Sequence, residues 1–373
     1  MTVLLLLGGF ALLVGGAEAL VRGASSIARR AGISPLVVGL TVVAFGTSAP
    51  EMAVSIGSSV SGQGDLALGN VVGSNIFNVL FILGLSALAA PLVVSSDLVR
   101  RDVPLMLGVS VLVFAFALNG IIGRWEGALL TGGIVIFTIY QILQGRSAAS
   151  EHAHQPPVAV STGSARGDVA TDTGSSSHTS PASEMNVWIA GLLTLGGLGL
   201  LVLGAQWLVQ GAVAIAQAAG LSELVIGLTI IAGGTSLPEL ATSMLASLRG
   251  QRDIAVGNVV GSNIFNLLAV LGCSAMVAPD GISVAPGVLW MDLPVMIAVA
   301  VACLPIFLTG HVVSRWEGVL FAGYYVAYTT YLVVTATAHP ALSTFTVVVG
   351  FFVVPLTVLG LGMTAFRRWQ ERT

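Results

Sequence analysis

Charged residues are scarce in this chain of 373 residues. Asp, Glu, Lys and Arg together make up 8% of the sequence, whereas hydrophobic residues make up 55%. Lysine is absent, so all 14 basic residues are arginines. About a quarter of the residues of a soluble domain are charged, so this composition excludes a soluble domain. It is typical of a protein that crosses a membrane several times.

Cysteine is nearly absent, and so are the residue patterns of common enzymes. Cys273 and Cys303 fall inside apolar runs, where we expect small buried hydrophobic side chains rather than a disulfide. The apolar runs contain no HExxH motif, no Ser/His pair and no mid-span pair of Asp residues, which argues against an enzyme and predicts no cofactor. No basic residue precedes the first apolar run, which predicts a retained span rather than a cleaved signal peptide.

Apolar runs of about 20 residues, the length that crosses a bilayer, are separated by polar breaks. In lipid each run must be helical, because its backbone polar groups have no water to bond. We predict eleven spans, at about residues 2–22, 35–60, 66–90, 103–120, 125–144, 187–210, 223–247, 254–278, 287–309, 316–336 and 342–365.

The arginines predict the orientation of these spans. With the N-terminus outside, every arginine except Arg124 falls on the cytoplasmic side. Such a distribution is what the positive-inside rule requires. We therefore expect a multi-pass protein of the cell membrane, inner or plasma, with its N-terminus outside and its C-terminus in the cytoplasm.

The two halves of the chain repeat one another. Residues 36–56 and 224–244 are identical at 13 of 21 positions, and residues 65–84 and 253–272 at 15 of 20. Each half contains five predicted spans. Because five is odd, the second half must enter the membrane from the opposite side. Inverted repeats with interrupted helices are typical of secondary transporters.

The predicted fold is therefore an all-α polytopic membrane protein, with two inverted five-helix repeats that form a ten-helix core and one extra C-terminal transmembrane helix. The segment between the repeats is rich in Ser, Thr, Ala and Gly and has no apolar period, so we predict a disordered cytoplasmic linker. The predicted units are a first repeat at 1–144, the linker at 145–186, a second repeat at 187–338, and the extra helix with its tail at 339–373.

The same polar motif interrupts the second span of each repeat. It reads Gly-Thr-Ser-Ala-Pro-Glu at 46–51 and Gly-Thr-Ser-Leu-Pro-Glu at 234–239. Pro50 lacks an N–H and clashes with the carbonyl of Gly46, so we expect an unwound turn with free carbonyl oxygens near residues 44–47. Such a backbone is tolerated at membrane depth only beside a polar cavity. A carboxylate at membrane depth is costly, so we interpret Glu51 and Glu239 as functional residues.

The third and eighth spans add a second layer of polar side chains. Ser74 and Asn78 are four residues apart and share a helical face, as do Ser262 and Asn266. With the two glutamates these are all hard oxygen donors, which suit Ca²⁺ or Na⁺ but not zinc or copper. Two carboxylates can balance one divalent ion or two monovalent ions, which is the minimum chemistry for exchange.

Gly-Thr-Ser-x-Pro-Glu followed by Gly-Asn-x-x-Gly-Ser-Asn-Ile-Phe-Asn, present twice, resembles the cation/calcium exchanger superfamily, and within it the prokaryotic sodium/calcium exchanger-like proteins. The resemblance covers the first ten predicted spans. It implies a secondary active antiporter that exchanges Na⁺ for Ca²⁺ by alternating access. The ions would lie between the second, third, seventh and eighth helices, and the first and sixth helices would slide across the rest.

The resemblance also implies a ligand at each matching position. Thr47, Glu51, Thr235 and Glu239 would bind Ca²⁺. The implied ligands of Na⁺ or of the central site are the carbonyl groups of Ala44 and Ala232 and the side chains of Ser48, Ser74, Asn78, Ser236, Ser262 and Asn266.

Two departures from related patterns bear on the coupling ion. Potassium-dependent relatives carry Asp at the position of Asn266, so the amide argues against K⁺ co-transport. Proton-coupled relatives carry Gly-Asn-x-x-Glu in place of the first motif, which favours Na⁺. An antiporter of Ca²⁺ or another cation for H⁺ is the alternative, and a cation channel is less favoured because the ligands converge within one chain. The expected partners are Ca²⁺ and Na⁺ as substrates and the lipid bilayer, with no nucleic acid and no obligate protein partner.

Overall fold

The computed structural model shows a chain that is almost entirely helical. It describes residues 1–153, 185–220, 226, 229, 230, 232–308 and 310–339, and the single positions 342, 350 and 362. Of residues 145–153 only the backbone is described.

Eight α-helices form the first half, and short π-helical turns join some of them. The α-helices are α1 (Thr2–Ala31), α2 (Pro35–Val38), α3 (Ala44–Thr47), α4 (Ala49–Val60), α5 (Gly64–Phe77), α6 (Gly84–Ala89), α7 (Val103–Ala117) and α8 (Arg124–Ala153). The π-helical turns are Gly39–Val43, Asn78–Leu83 and Leu98–Asp102.

The described part of the second half follows the same order. Its α-helices are α9 (Val187–Ala218), α10 (Ala232–Gly234), α11 (Leu237–Leu248), α12 (Arg252–Phe265), α13 (Leu271–Val277), α14 (Leu293–Leu308) and α15 (Arg315–Ala336). The π-helical turns Asn266–Val270 and Val288–Asp292 lie at the positions of those in the first half.

Seven helical stretches of the described chain are long and apolar enough to cross a membrane. They are Thr2–Ala31, Gly64–Ala89, Arg124–Gln144, Val187–Ala218, Arg252–Val277, Val288–Leu308 and Arg315–Ala336. An eighth would be the pair Pro35–Thr47 and Ala49–Val60, which is bent by 46°. The prediction of a helical, multi-pass membrane protein is thereby confirmed.

The remaining predicted spans differ from these stretches for identifiable reasons. The predicted fourth span corresponds to α7, which has 15 residues and follows the π-helical turn Leu98–Asp102. The predicted seventh span is only partly described, and the eleventh lies outside the described residues except at 342, 350 and 362. At the other boundary, α8 continues to Ala153, nine residues into the segment 145–186 that we predicted as linker.

The long helices α1 and α9 are in direct backbone contact. They have 30 and 32 residues, about 45 and 48 Å at 1.5 Å per residue, and must tilt to fit a bilayer. A Cβ added at Gly16 would lie 2.8 Å from the carbonyl oxygen of Gly197, and one added at Gly204 would lie 2.8 Å from that of Gly9. Only glycine permits so close an approach.

Two short antiparallel strand pairs join the halves outside the helices. β1 (Leu92–Val93) pairs with β4 (Val312–Val313), with Leu92 opposite Val313. β2 (Ile121–Ile122) pairs with β3 (Ile282–Ser283), with Ile122 opposite Ile282. Each pair takes one strand from each half, and so holds the two halves together at two places.

The repeated Arg-Trp-Glu-Gly sequences begin α8 and α15. Glu317 accepts hydrogen bonds from the N–H and the hydroxyl of Ser314 at 2.7 Å, which caps the first turn of α15. A Cβ added to Gly318, the last residue of the second copy, would lie 2.6 Å from the carbonyl oxygen of Gly84. The repeated sequence thus sets the start of the helix and its packing against α6.

Candidate ion-binding site

Both copies of the Gly-Thr-Ser-x-Pro-Glu motif lie at breaks between helices. In the first half α3 ends at Thr47 and α4 begins at Ala49, with Ser48 between them at φ −81° and ψ 8°. In the second half α10 ends at Gly234 and α11 begins at Leu237. Proline follows at the first turn of α4 and of α11, where its missing N–H costs nothing. The predicted interruption is present in both copies.

The two glutamates are completely buried and bond to the opposite half of the chain. Ser236 donates a hydrogen bond of 2.6 Å to Glu51 Oε1. Ser48 donates one of 2.9 Å to Glu239 Oε1. Both carboxylates have zero exposed surface. The two broken helices therefore face each other, and each supplies a hydroxyl to the carboxylate of the other.

The predicted central residues lie where α5 and α12 give way to π-helical turns. Asn78 begins the turn Asn78–Leu83, and Asn266 begins the turn Asn266–Val270. Both side chains are fully buried, and Ser74 and Ser262 lie one turn before them with 1% and 0% exposure. Isolated π-helical turns often occur at functional sites, since they redirect side chains within a continuous helix.

Six buried oxygens of the predicted ligands have no hydrogen-bond partner among the described residues. They come equally from the two halves and occupy equivalent positions in them. They are Glu51 Oε2, Ser74 Oγ and Asn78 Oδ1 in the first half, and Glu239 Oε2, Ser262 Oγ and Asn266 Oδ1 in the second. A buried acceptor without a partner is destabilising, and a cation coordinated by such oxygens would satisfy them.

The two motif threonines bond within the polar layer. Thr47 donates to Asn258 Oδ1 at 3.2 Å, and Thr235 donates to Asn70 Oδ1 at 3.5 Å. Thr47 is fully buried, whereas Thr235 is half-buried. Each hydroxyl keeps its lone pairs available, because it acts as the donor in these bonds.

The carbonyl group of Ala44 is less free than we expected from the sequence. It accepts the backbone N–H of Ser48 at 3.0 Å. The Thr47 hydroxyl also approaches it at 3.5 Å. The helix thus continues to Thr47 before it breaks, because Pro50 disturbs the backbone only from Ser48 onward. Ala232 begins the three-residue helix α10.

Two asparagines that we did not predict support the glutamates. Asn70 donates to Ser55 Oγ at 2.9 Å and to the backbone carbonyl of Glu51 at 3.3 Å. Asn258 makes the same bonds to Ser243 Oγ at 2.9 Å and to the carbonyl of Glu239 at 3.4 Å. The available signal was the identity of these polar residues in both repeats, within otherwise apolar spans.

The sequence profile of the family described as "Sodium/calcium exchanger protein" matches the chain over residues 1–143 and 189–334. The chain belongs to this family. As a family member it is a helical membrane transporter that exchanges cations, calcium among them, and is not an enzyme. The gap between the matched segments, residues 144–188, contains the whole of the predicted linker.

Individual relatives of this exchanger cover most of its length. It is 42% identical over 272 residues to the putative antiporter CaxA of Alkalimonas amylolytica, which covers 73% of this chain and 79% of the relative. It is 35% identical over 330 residues to the sodium/calcium exchanger MaX1 of Methanosarcina acetivorans, over 80% of this chain and 88% of the relative.

A solved structure has the same fold as this exchanger. The sodium-calcium exchanger NCX_Mj, soaked with zero Na⁺ and Ca²⁺, superposes with a TM-score of 0.70 and 28% sequence identity. The match covers 87% of this chain and 96% of NCX_Mj. The agreement confirms the prediction of an exchanger-like helical transporter.

Proposed function

We propose that this exchanger is a secondary active antiporter that exchanges Na⁺ for Ca²⁺. The six buried oxygens without partners, three from each half, carry the proposal. A buried polar group without a partner costs about 1–3 kcal/mol, so six such oxygens at equivalent positions in the two halves favour a bound cation. Ca²⁺ takes six to eight oxygen ligands in flexible geometry, whereas Mg²⁺ requires a strict octahedron and retains its waters.

The charge of the site suits exchange between these two ions. Glu51 and Glu239 are its two carboxylates, and both are buried. Together they balance one Ca²⁺ or two Na⁺. A cation must be present for both to remain charged away from water. Ca²⁺ and Na⁺ therefore compete for the negative charge of these two carboxylates, and each can drive the other out.

The individual ligand assignments follow from position. We assign Ca²⁺ to Thr47, Glu51, Thr235 and Glu239, which lie at the helix breaks. For Na⁺ or for the centre of the site we assign the hydroxyl groups of Ser48, Ser74, Ser236 and Ser262, the amide oxygens of Asn78 and Asn266, and the carbonyl groups of Ala44 and Ala232. Because Ala44 O already accepts the N–H of Ser48, it can offer an ion only its second lone pair.

Alternating access would use the helices α1 and α9. The glycine contacts between α1 and α9 would make these helices one unit that slides across the other helices of the two repeats. The halves would be two inverted five-helix repeats, at 1–144 and 187–338, and the unit 339–373 would add one helix. We place the protein in the cell membrane with the N-terminus outside, since that orientation puts all arginines but Arg124 in the cytoplasm.

Three observations favour Na⁺ over H⁺ as the coupling ion. MaX1 is a sodium/calcium exchanger by name, and NCX_Mj, a sodium-calcium exchanger, has the same fold. In addition, both central residues are amides. An amide can bind Na⁺ through its oxygen, but it does not titrate and so cannot carry a proton across the membrane.

Transport by purified protein in liposomes tests the coupling. Liposomes loaded with Na⁺ are diluted into Na⁺-free buffer that contains radioactive Ca²⁺, and a parallel set carries only a pH gradient. We expect Ca²⁺ uptake that requires the outward Na⁺ gradient and stops when an ionophore dissipates it. Uptake that follows only the pH gradient would identify a Ca²⁺/H⁺ antiporter instead. Uptake without any gradient of Na⁺ or H⁺ would indicate a channel.

A further inference from the structure

Two buried asparagines outside the proposed ligand set connect the halves beside the central residues. They are Asn75 on α5 and Asn263 on α12, exposed by 2% and 3%. Asn75 lies three residues before Asn78, and Asn263 lies three residues before Asn266. The side-chain oxygen of each residue already has a hydrogen-bond partner, so ion coordination does not explain why asparagine occupies these two positions.

Each of these asparagines accepts the amide of the central asparagine in the other half. Asn266 donates its Nδ2 to Asn75 Oδ1 at 3.2 Å. Asn78 donates its Nδ2 to Asn263 Oδ1 at 3.0 Å. The Oδ1 atoms of Asn78 and Asn266, in contrast, have no partner among the described residues. The nitrogen end of each central amide is thus occupied, and the oxygen end is free.

The orientation of Asn75 and Asn263 is itself determined by their other contacts. Asn75 Nδ2 donates to the backbone carbonyl of Asn263 at 3.4 Å, and Asn263 Nδ2 donates to the backbone carbonyl of Asn75 at 3.4 Å. The same two nitrogens approach the sulfur atoms of Met296 and Met106, at 3.7 and 3.5 Å. A flipped amide would place oxygen against a carbonyl and N–H against N–H, so only one orientation satisfies all groups.

We propose that Asn75 and Asn263 are positioning residues that hold the oxygens of Asn266 and Asn78 toward the ions. This inference rests on the proposed function and names a determinant of affinity at the same site. An unrestrained asparagine can turn either its oxygen or its N–H toward a cation, and only the oxygen binds. By accepting the amide nitrogen, Asn75 removes the unfavourable orientation of Asn266, and Asn263 does the same for Asn78.

The arrangement also determines which residue fits at the central position. Asn75 Oδ1 requires a donor opposite it, and an asparagine at 266 supplies one. An ionised aspartate at 266 would place two acceptor oxygens together in a buried layer, which is unfavourable. Asn75 therefore selects a neutral amide at the centre of the site, and the charge of the site stays with Glu51 and Glu239.

Equilibrium binding of radioactive Ca²⁺ to purified protein in detergent, without any transport step, tests the proposal. Asn75→Leu has a similar size but cannot accept the Asn266 amide, and we expect its Kd for Ca²⁺ to rise by about tenfold or more. Asn75→Asp, which this buried layer keeps in its neutral acid form, retains an oxygen that accepts this amide and a hydroxyl that can donate to the Asn263 carbonyl, and its Kd should stay within about threefold of the parent value.

A matched control separates orientation from packing. Met296→Leu changes a buried neighbour of Asn75 by a substitution that conserves volume, and leaves the acceptor of the Asn266 amide in place. Its Kd should stay within about twofold of the parent value. A general disturbance of this layer would raise the Kd of Met296→Leu and Asn75→Leu together, and that outcome would overturn the proposal.

The remaining outcomes are equally decisive. Parent-like affinity in Asn75→Leu, or equal weakening in Asn75→Leu and Asn75→Asp, would show that the acceptor at position 75 does not position the ligand. If Asn75→Leu does not yield folded protein, Asn75→Ser replaces it, because its hydroxyl is too short to reach Asn266 and the site stays polar. Absence of Ca²⁺ binding by the parent protein would instead contradict the proposed function.

Discussion

Glu51 and Glu239 divide their carboxylate oxygens between two tasks. In each, Oε1 accepts the hydroxyl of a serine from the other half, Ser236 or Ser48. In each, Oε2 has no partner among the described residues. Ionisable side chains inside a membrane are rare, and they often mark the path of a substrate or an ion. The unpartnered oxygen in both halves is what we expect of carboxylates that bind a cation, as proposed above.

Neutralising either glutamate should therefore stop transport. Glu51→Gln keeps the shape of the side chain but removes one of two negative charges and can turn an NH₂ group toward the ion. Breaking a buried ion pair in this way costs about 3–5 kcal/mol, so Na⁺-driven Ca²⁺ uptake should fall by more than about a hundredfold. Glu239→Gln should have the same effect.

The control for this prediction is His152→Ala, which lies in the predicted linker and outside the ligand set. Its uptake in the same liposomes should equal that of the parent protein. Uptake at the parent rate by either Gln variant would remove the assignment of the glutamates to the ion site.

At the scale of helices, the contact between α1 and α9 depends on glycines seven residues apart. Gly9 and Gly16 on α1 face Gly204 and Gly197 on α9. A seven-residue spacing returns to nearly the same face of a helix every two turns, so the contact is a straight seam. Backbone atoms within the seam lie too close for any Cβ, so the contact depends on glycine at these positions.

A methyl group at the seam should separate the helices. Gly16→Ala would place its Cβ 2.8 Å from the Gly197 carbonyl oxygen and from the Leu201 nitrogen, a clash that costs about 1–3 kcal/mol. We expect a lower Tm in detergent and a lower exchange rate. Gly15→Ala is the matched control, since nothing lies within 4 Å of its added Cβ. Equal behaviour of the two variants would show that the seam tolerates a Cβ.

At the scale of the whole molecule, the halves are similar in sequence but not in charge. Glu18 on α1 pairs with Arg22 on the same helix and with Arg249 after α11, the latter at 2.5 Å. The equivalent position of Glu18 in the second half, 188 residues later, is Gln206, and that of Arg249, 188 residues earlier, is Ser61. The pair of Glu18 with Arg249 joins α1 to the end of α11. The two residues at the equivalent positions, Gln206 and Ser61, are uncharged, so the pair has no charged counterpart between α9 and the end of α4.

Removal of this pair should shift the balance between the two access states. Its members are partly exposed, with side chains 23% and 50% accessible, so the pair contributes at most about 1 kcal/mol. In Glu18→Gln we expect transport to persist while the half-saturating Ca²⁺ concentration rises on one side of the membrane and falls on the other, each by about twofold to fivefold. Vesicles of each orientation measure the two values.

Arg22→Gln serves as the control, because it leaves the pair between Glu18 and Arg249 intact. Its two half-saturating concentrations should stay near those of the parent protein. Unchanged values on both sides in Glu18→Gln would show that the pair does not favour either access state.

The sequence by itself determined the class of protein, its repeats and most of the proposed ligands. These follow from local facts: the length of an apolar run, a proline that breaks a helix, and a carboxylate where lipid demands hydrocarbon. Ser74 and Asn78 were recognisable because a helix brings residues four apart to one face. The same local rules placed the unwound turn at about residues 44–47, whereas α3 continues to Thr47 and the break lies at Ser48, since the exact last bond of a helix depends on its surroundings.

Only the tertiary structure decided which polar groups meet. Periodicity gives the face on which Glu51 lies, but not that its partner is Ser236 rather than a serine of its own half. It gives the position of Asn75, but not that Asn75 holds the amide of a residue 191 positions away. Nor does it give the glycine contacts of α1 with α9. These contacts join residues far apart in the chain, and their free energy depends on how the two halves pack together, which no local pattern records.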